Sequence, residues 1–322
     1  MDRLTKREIR KVSSVIGGAL IAFLLIGIAY ARFLTVLKTG GRIEMTYNLQ
    51  CMLQIVYTLI CVFVPFAVAG HFIRKIQVRG PDFLPFNKPS DGKLFLAAVL
   101  MGMVAMLLSN FLTSFFVVTM ERFGFTFDNY TFPSPDTVSG YVWLLLSNAV
   151  VPALVEEYAM RGVVLQSLRR YGDRFALVIS SIIFALMHGN LAQAPFAFLL
   201  GLVIGRLVIE TESLWTGILI HVINNSYAVI MTAIGDHMGD ALQVKLVIIF
   251  STAVFAAGII SMIWYFTIYG KTRKPLESPG GPGPEGRKRY RKSAWGAALT
   301  AIPMAASLVW LIIDVMEATH LH

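Results

Sequence analysis

Three groups of polar residues with the chemistry of a hydrolase lie inside stretches that are otherwise strongly apolar. They are Glu156-Glu157-x-x-x-Arg161, Phe184-x-x-x-His188 and His221-x-x-x-Asn225. Ionisable groups within a membrane are costly and, where they occur, usually face a cavity and serve a function. Carboxylates, imidazoles, an amide and a guanidinium are the side chains needed to activate water and stabilise the intermediate of amide hydrolysis. The three groups therefore predict an active site within a membrane.

The two adjacent glutamates are expected to differ in function. Neighbouring residues on a helix point about 100° apart, so both carboxylates should not face one cavity. Arg161 lies four residues after Glu157 on the same face, where an ion pair neutralises both charges. We therefore expect Glu157 and Arg161 to support the structure and Glu156 to be free for chemistry. The alternative is a charge cluster at a cytoplasmic helix end, but Arg169 is a better marker of that end.

The histidines and the asparagine allow more than one interpretation. His188 follows the apolar run 175–187, and such a histidine is also a common hydrogen-bond partner between helices. His221 and Asn225 share a helix face and offer two donors to a developing oxyanion. Alternatively, Asn224 and Asn225 join helices through amide hydrogen bonds. The remaining histidines are expected at the surface: His71, His237, His320 and His322.

The composition predicts an all-α, multi-pass membrane bundle with a polar intramembrane cavity. The 322 residues are 56% hydrophobic with a mean hydropathy of +0.66, and 15% are charged, against roughly 25% in a soluble domain. Apolar stretches of about 20 residues match the thickness of a bilayer. We expect a single membrane domain over 1–322 with about nine spans. They lie near 12–33, 49–73, 95–120, 140–168, 175–191, 194–210, 214–234, 243–269 and 294–315.

Loop charge predicts the orientation in the cell membrane. The segments 1–11, 74–93 and 271–292 carry net charges of +3, +3 and +6. By contrast, 121–139 carries −2, and 235–242 contains two aspartates and no Lys or Arg. Because basic loops stay in the cytoplasm, nine spans place the N-terminus in the cytoplasm and the C-terminus outside. The net charge of +9 thus indicates membrane lipids as partners and not nucleic acid.

Three further features complete the organisation. The Pro- and Gly-rich, basic segment 271–293 is expected to be a cytoplasmic linker before the final span. The first span, which contains Ala29-Tyr30-Ala31 near its end, is expected to be an uncleaved signal anchor, although a cleaved signal peptide is the alternative. Cys51 and Cys61 both lie in an apolar stretch and are expected to be packing residues.

Sequence motifs exclude the other chemistries of intramembrane proteolysis. A zinc protease of the site-2 type needs His-Glu-x-x-His, and a rhomboid needs Gly-x-Ser-Gly; the chain contains neither. The aspartyl type needs Gly-x-Gly-Asp, and 235–240 reads GDHMGD instead.

The order of the three motifs resembles the CAAX protease and bacteriocin-processing (Abi) family, whose signature is E-E-x-x-x-R, F-x-x-x-H and H-x-x-x-N. The matching sequences are EEYAMR, FALMH and HVINN, within a family-like catalytic core over 140–235. The resemblance implies a cavity open toward the cytoplasm and cleavage of a peptide bond in or near the membrane. It implies Glu156 as the water-activating base, His188 beside it, His221 and Asn225 as the oxyanion site, and Glu157 with Arg161 as support.

The expected function is that of a CAAX prenyl protease-type intramembrane endopeptidase acting on a peptide or lipidated protein. Glu156, His188 and His221 could bind a divalent metal such as zinc, yet the same residues could position water without one. The resemblance favours a metalloprotease, as the family is conventionally classed. The alternatives are a non-catalytic bacteriocin-immunity or scaffolding protein, or a transporter that uses the buried polar groups as a relay.

Overall fold

The computed structural model describes residues 3–40, 44–77, 85–89, 91–127, 135–270 and 293–321, and this part of the chain is almost entirely helical. The ten helices that it contains are α1 (Arg3–Thr39), α2 (Tyr47–Ile76), α3 (Gly92–Arg122), α4 (Val138–Arg169), α5 (Asp173–Leu186), α6 (Ala194–Thr211), α7 (Leu214–Met238), α8 (Asp240–Ile268), α9 (Ser293–Leu299) and α10 (Ile302–Glu317). Two short antiparallel strands, β1 (Phe125–Phe127) and β2 (Thr319–Leu321), pair with each other. The all-α membrane fold is therefore confirmed.

Side-chain caps begin three of the long helices. Thr46 accepts a hydrogen bond from the backbone N–H of Leu49 at the start of α2. Asp91 caps α3, and Thr137 caps α4 in the same way. Each cap satisfies a backbone donor that has no partner within its helix, so these residues set where the apolar helices begin.

The number of spans is smaller than the predicted nine. In the described ranges, seven helices are long and apolar enough to cross a membrane, and the bent pair α9 and α10 makes an eighth if it counts as one span. The two members of that pair meet at an angle of 75°.

The predicted span at 175–191 is the one that the structure corrects. Helix α5 has 14 residues, about 21 Å at 1.5 Å per residue, which is too short for roughly 30 Å of hydrocarbon. The chain turns directly after it, where Gly189 has a left-handed φ of +62°. After this turn α6 begins, with Pro195 in its first turn. The predicted span extended past Leu186, but the helix ends at this residue because the backbone turns.

Contacts between loops bring the basic segments together at one end of the bundle. Arg170 forms an ion pair with Glu8, and Tyr171 donates a hydrogen bond to the same carboxylate. The turn before α7 bonds to the loop at 85–89, because Ser213 donates to the Asn87 carbonyl. Tyr269, after α8, donates to Asp91. We call this end, which holds 3–11, 85–89, Asp91, 169–173, 211–214 and 269–270, the basic end.

The opposite end holds the acidic segments. The strand pair joins the chain after α3 to the chain after α10, and the ring of Tyr141 lies 5.9 Å from that of His237. We call this end the acidic end. Although α5 stops short, α5 and α6 form a hairpin that returns to the basic end, so the predicted grouping of loops is retained. The segment 271–293 lies almost wholly outside the described residues.

Packing is continuous around the bundle. Helix α1 packs against α2 and α10, α10 also contacts α5, and α5 packs along α6. Helix α3 packs against α6 and α8, while α7 lies inside and contacts α3, α4, α6 and α8. A Cβ added at Gly17 would collide with the backbone of Met304, so α1 and α10 cross in close contact. Cys51 and Cys61 are buried free thiols, as expected of packing residues.

The half of the bundle nearer the basic end is solid. On α4 the ten consecutive residues 159–168 are all buried, and they join a core that includes Ile9, Phe66, Ile73 and Phe175. We call this the packed half. The half nearer the acidic end, the hollow half, contains the cavity described next.

Candidate active site

Helix α4 places its two glutamates in different surroundings. The side chain of Glu157 is 0% exposed and that of Arg161 1% exposed, and the Arg161 Nη1 to Glu157 Oε1 distance is 3.0 Å. The side chain of Glu156 is 25% exposed and lines a cavity. The expected Glu157–Arg161 contact is therefore present, and Glu156 is the carboxylate with access to solvent. Helix α4 also ends at Arg169, as expected.

Two π-helical segments interrupt α4 around these residues. They span Leu146–Val150 and Tyr158–Leu165, and the short α-helical piece Val151–Glu157 lies between them. π-Helical segments change which residues share a face and are frequent at functional sites. The local geometry of α4 thus differs from the regular helix on which the 100° argument rests.

His221 on α7 contacts both glutamates. Its Nδ1 lies 3.1 Å from Glu157 Oε1, and its Nε2 lies 3.8 Å from Glu156 Oε2. Arg161, Glu157, His221 and Glu156 therefore form a continuous row of charged and ionisable groups that leads from the packed half to the cavity. As expected, the two carboxylates differ in exposure: Glu157 is buried and Glu156 is partly exposed. Contrary to the expectation that they point apart, both lie close to the ring of His221, one at each nitrogen.

Arg161 is held by groups other than its carboxylate partner. Its Nη2 donates to the Gly201 carbonyl of α6 at 3.4 Å, and its guanidinium lies 4.4 Å from the centre of the Phe184 ring. A guanidinium over an aromatic face is stabilised by the ring quadrupole. The phenylalanine of the second motif thus supports the arginine of the first.

His188 follows α5 at the turn that the helix end creates. Its Nδ1 lies 2.8 Å from the Phe184 carbonyl, which can only accept, so Nδ1 carries the proton. In the neutral ring Nε2 is then an acceptor. His188 lines the same cavity as Glu156 and stacks edge-to-face on Phe184.

Asn225 both lines the cavity and joins two helices. Its Nδ2 donates to the Asn148 carbonyl of α4 at 2.9 Å, and its Oδ1 accepts from Asn224 at 2.8 Å. The bond between Asn225 and Asn148 therefore agrees with the interpretation that these amides join helices. One N–H of the Asn225 amide is not used by these bonds, so the side chain retains a donor for a ligand.

The four residues predicted to be catalytic line one cavity of about 1570 Å³. Five helices contribute residues from their middle or from their part nearer the acidic end: 23–34 on α1, 54–62 on α2, 107–113 on α3, 144–160 on α4 and 247–255 on α8. The cavity therefore extends from the four residues into the hollow half. The sequence resemblance implied an opening toward the cytoplasm, and the cytoplasmic side stays a prediction. On the side of the basic end, residues 159–168 of α4 are all buried.

Several amide side chains of the cavity were missed by sequence reasoning. They are Gln54, Asn110, Asn148, Asn190 and Gln193. Each is a single amide within or beside an apolar stretch. A single amide is a weaker indication of a site than the three motifs, so these residues were not singled out. Gly217 was missed as well: a Cβ there would lie 2.6 Å from Glu157 Oε2, so only glycine lets α7 approach this carboxylate.

The geometry gives no three-ligand metal site. Among the residues that the structure describes, no group of three or more His, Cys, Asp or Glu side chains is arranged to hold a metal ion. His221 contacts Glu157 through Nδ1 and faces Glu156 through Nε2. Metal binding by Glu156, His188 and His221 stays a prediction. The other histidines fit the expected surface positions where they are described, because His71 and His237 are exposed.

Comparison with known proteins identifies the region that carries the motifs. A family profile described as Type II CAAX prenyl endopeptidase Rce1-like matches residues 138–227. The matched segment runs from the start of α4 through the middle of α7 and contains all three motifs. Comparison with curated proteins and with solved structures gives no match. The family match supports a CAAX-type intramembrane protease as the general kind of function.

Proposed function

We propose that this protein is an intramembrane endopeptidase in which Glu156 activates water to hydrolyse a peptide bond. One observation carries the proposal: of the two carboxylates in the row Arg161, Glu157, His221 and Glu156, Glu156 lines the large cavity and Glu157 is buried behind it. If the buried ion pair were surrounded only by packed core, a structural role would be enough to explain it. A carboxylate with solvent access, backed by a fixed imidazole, has the arrangement of a general base.

The row of charges fixes the imidazole of His221. Glu157 accepts from Nδ1–H, which orients the ring and leaves Nε2 directed toward Glu156. With His221 protonated, two carboxylates, one guanidinium and one imidazolium sum to zero charge. Neutrality of this kind is what a desolvated cluster requires. The Nε2–H group is then a donor at the edge of the cavity.

Hydrolysis follows from these positions. A water molecule donates one proton toward Glu156 and the other toward the Nε2 acceptor of His188. Glu156 takes its proton as the water oxygen bonds to the scissile carbonyl carbon, and the carbonyl oxygen becomes an oxyanion. His221 Nε2–H and the unused N–H of Asn225 stabilise that oxyanion. Glu156 then returns the proton to the leaving amine as the C–N bond breaks, which balances the reaction.

The expected substrate is a peptide segment attached to a membrane anchor, as the family's action on prenylated C-termini suggests. The surrounding partners are membrane lipids. The distribution of basic loops supports a cytoplasmic basic end, with the N-terminus in the cytoplasm and the C-terminus outside. No step of the proposed mechanism needs a metal, because Glu156 and His188 together can position the water.

The test is hydrolysis by purified protein of a peptide that carries an acyl chain, carried out in ¹⁸O-labelled water and followed by mass spectrometry. We expect two products whose new carboxylate contains one ¹⁸O atom. A parallel series with increasing chelator should leave the rate unchanged; loss of activity that zinc restores would replace the glutamate–water step with a metal-bound one. Absence of any cleavage, with substrate still bound, would favour the immunity or scaffolding alternative. Vesicle uptake without cleavage would favour transport.

A further inference from the structure

We propose that Pro152 is a positioning residue of the active site: because it has no backbone N–H, it leaves the Asn148 carbonyl free to hold the Asn225 amide as an oxyanion donor. This inference rests on the proposed function and adds a residue that none of the three motifs contains. Pro152 lies on α4, four residues before Glu156, and lines the cavity. Its role is indirect, because it acts through a backbone carbonyl and not on the substrate.

The first step is the effect of a proline within a helix. In a regular α-helix the N–H of each residue donates to the carbonyl four residues earlier. Proline has no N–H, and its ring also clashes with the carbonyl at that position. For Pro152 the carbonyl four residues earlier is that of Asn148. The Asn148 carbonyl therefore lacks the helical donor that any other residue at position 152 would supply.

The second step is the widening of α4 directly before the proline. The π-helical segment Leu146–Val150 ends two residues before Pro152, and the N–H of Val151 donates to the Leu146 carbonyl, five residues earlier. π-Helical turns inside α-helices are rare and are frequent at functional sites. The Asn148 carbonyl belongs to this widened turn, so it is available to a partner outside α4.

The third step is the bond that this carbonyl accepts from another helix. Asn225 Nδ2 on α7 donates to the Asn148 carbonyl at 2.9 Å, and α7 packs along the segment Leu146–Val150. A carbonyl can only accept, so it binds the NH2 group of the amide and not its oxygen. On the other side of the amide, Asn225 Oδ1 accepts from Asn224 Nδ2 at 2.8 Å. The two bonds together fix the Asn225 amide in one of its two orientations.

This orientation determines which group of the amide is offered to a ligand. With Nδ2 at the Asn148 carbonyl, its second N–H is the donor that the proposed mechanism uses for the oxyanion. In the reversed orientation, Oδ1 would take the place of this donor and repel the developing negative charge. A donor whose direction is fixed before the reaction needs no reorganisation in the transition state. We therefore expect the missing N–H of Pro152 to act on kcat.

Helix α2 contains the same arrangement with its proline outside the described cavity lining. Its π-helical segment Thr58–Phe63 ends two residues before Pro65, and the N–H of Val64 donates to the Leu59 carbonyl, five residues earlier. Pro65 and Pro152 are both buried, but of the two only Pro152 lines the cavity. Pro65 is therefore the matched control for the effect of a proline on its own helix.

The first experiment measures hydrolysis of the acylated peptide. Pro152→Ala restores an N–H that competes with Asn225 for the Asn148 carbonyl. We expect kcat to fall about tenfold or more, up to the roughly 100-fold expected for the loss of one oxyanion donor. KM should stay within about twofold, because the donor acts mainly in the transition state. Pro65→Ala should leave both constants within about twofold of wild type. An unchanged kcat in Pro152→Ala would overturn the proposal.

A double-mutant cycle separates Asn225 from Glu156, which Pro152 could also affect through the helix. In an Asn225→Ala background, Pro152→Ala should change kcat by no more than about twofold, because the side chain that it positions is already absent. If Pro152→Ala causes its full loss in this background as well, the proline acts on the placement of Glu156, and the proposed role is overturned.

The second experiment observes the hydrogen bond without turnover. Protein labelled with ¹⁵N-asparagine is studied by NMR in detergent, and Asn225→Ala identifies the Asn225 side-chain signal by its loss. Pro152→Ala should shift the bonded proton of this signal toward the position of a free amide, while Pro65→Ala should leave it in place. An unshifted signal in Pro152→Ala would contradict the inference. No turnover by unmodified protein would instead refute the proposed function, so the two failures are distinguishable.

Pro152→Ser is the second variant, because its N–H and its hydroxyl can both bond the carbonyl four residues earlier. Replacing a proline in a helix interior favours the helix, so both variants should fold, and thermal unfolding checks this. We expect the same loss of kcat as for Pro152→Ala. If neither variant folds while Pro65→Ala does, the proline is required for the structure of α4 and the proposed role is overturned.

Discussion

The packed half and the hollow half of this bundle are built from the same helices but hold polar groups in different ways. In the packed half, Glu157 and Arg161 are buried and contact each other, His221 and the Gly201 carbonyl, while Glu157 Oε2 has no hydrogen-bond partner among the described residues. In the hollow half, amides line a cavity of about 1570 Å³. Glu156 lies at the boundary. The difference shows that two adjacent residues of one helix, Glu156 and Glu157, lie in two environments, one accessible to solvent and one buried.

The boundary follows α5 and α6, which pack against the Tyr158–Leu165 part of α4. Together with 159–168 of α4 they complete the core near the basic end. Residues of the turn that joins α5 and α6, among them His188 and Asn190, line the cavity. Burial of charges in the packed half has a desolvation cost that pairing offsets. A carboxylate beside the cavity stays accessible to the water that it would activate.

The largest expected effect comes from neutralising the carboxylate on the hollow side. Glu156→Gln keeps the size of the side chain and removes the general base, so kcat should fall between about 100-fold and 10,000-fold. Folding should be unaffected because the side chain is partly solvated. Single-turnover rates and thermal unfolding of the same preparation measure both effects. A variant that retains more than a tenth of the activity would assign the base elsewhere, with His188 the next candidate.

The next largest effect concerns the adjacent carboxylate on the packed side. Glu157→Gln leaves Arg161 buried without its counter-charge, which typically costs about 3–5 kcal/mol. We expect a lower yield of folded protein and a lower unfolding temperature, with Glu156→Gln as the matched control. The double variant Glu157→Gln/Arg161→Met should recover much of the stability, because a buried pair can be replaced by apolar groups. Normal folding of Glu157→Gln together with lost activity would reverse the two roles.

The sequence predicted the general fold and four residues that line one cavity, but not where the helices stop. Hydropathy predicts a span at 175–191 because the run before His188 is apolar. The turn at Gly189 depends on backbone conformation and on packing against α10, which hydropathy does not encode. The sequence predicted a polar cavity in the membrane, but neither motif spacing nor loop charge indicates which helices line it.

The spacing rules were informative for Glu157 and Arg161 and incomplete for Glu156. The i, i+4 rule anticipated the contact that the structure contains. The 100° rule did not anticipate that both glutamates reach His221, because π-helical segments flank them. Gly217 was not recognisable from sequence alone, since its contact with Glu157 depends on how α7 crosses α4.

A smaller effect is expected for Asn225, which belongs to both halves through its bond to Asn148. Asn225→Ala removes one oxyanion donor, a loss of roughly 100-fold in kcat. KM should change little, because the donor acts mainly in the transition state. Asn48→Ala, an amide near the acidic end outside the cavity lining, should leave both constants unchanged. A rise in KM that accounts for the whole loss would make Asn225 a substrate-binding residue.

The smallest effect is expected at the basic end, where Tyr269 donates a hydrogen bond to Asp91. This bond lowers the pKa of Asp91 from its ordinary value of 3.8 and raises the pKa of Tyr269 from 10.0. Because folding lowers the pKa of Asp91, this carboxylate stabilises the fold at pH values above 3.8, and the effect is lost in acid. Because folding raises the pKa of Tyr269, this phenol stabilises the fold at pH values below 10.0, and the effect is lost in alkali. Tyr269→Phe should therefore lower the unfolding temperature slightly between these limits, with no change in turnover.

The difference from wild type should vanish as the pH falls through the folded-state pKa of Asp91. In an Asp91→Asn background, Tyr269→Phe should lose this acid dependence. A change in kcat in either variant would mean that the packed half is coupled to the site more tightly than its contacts indicate.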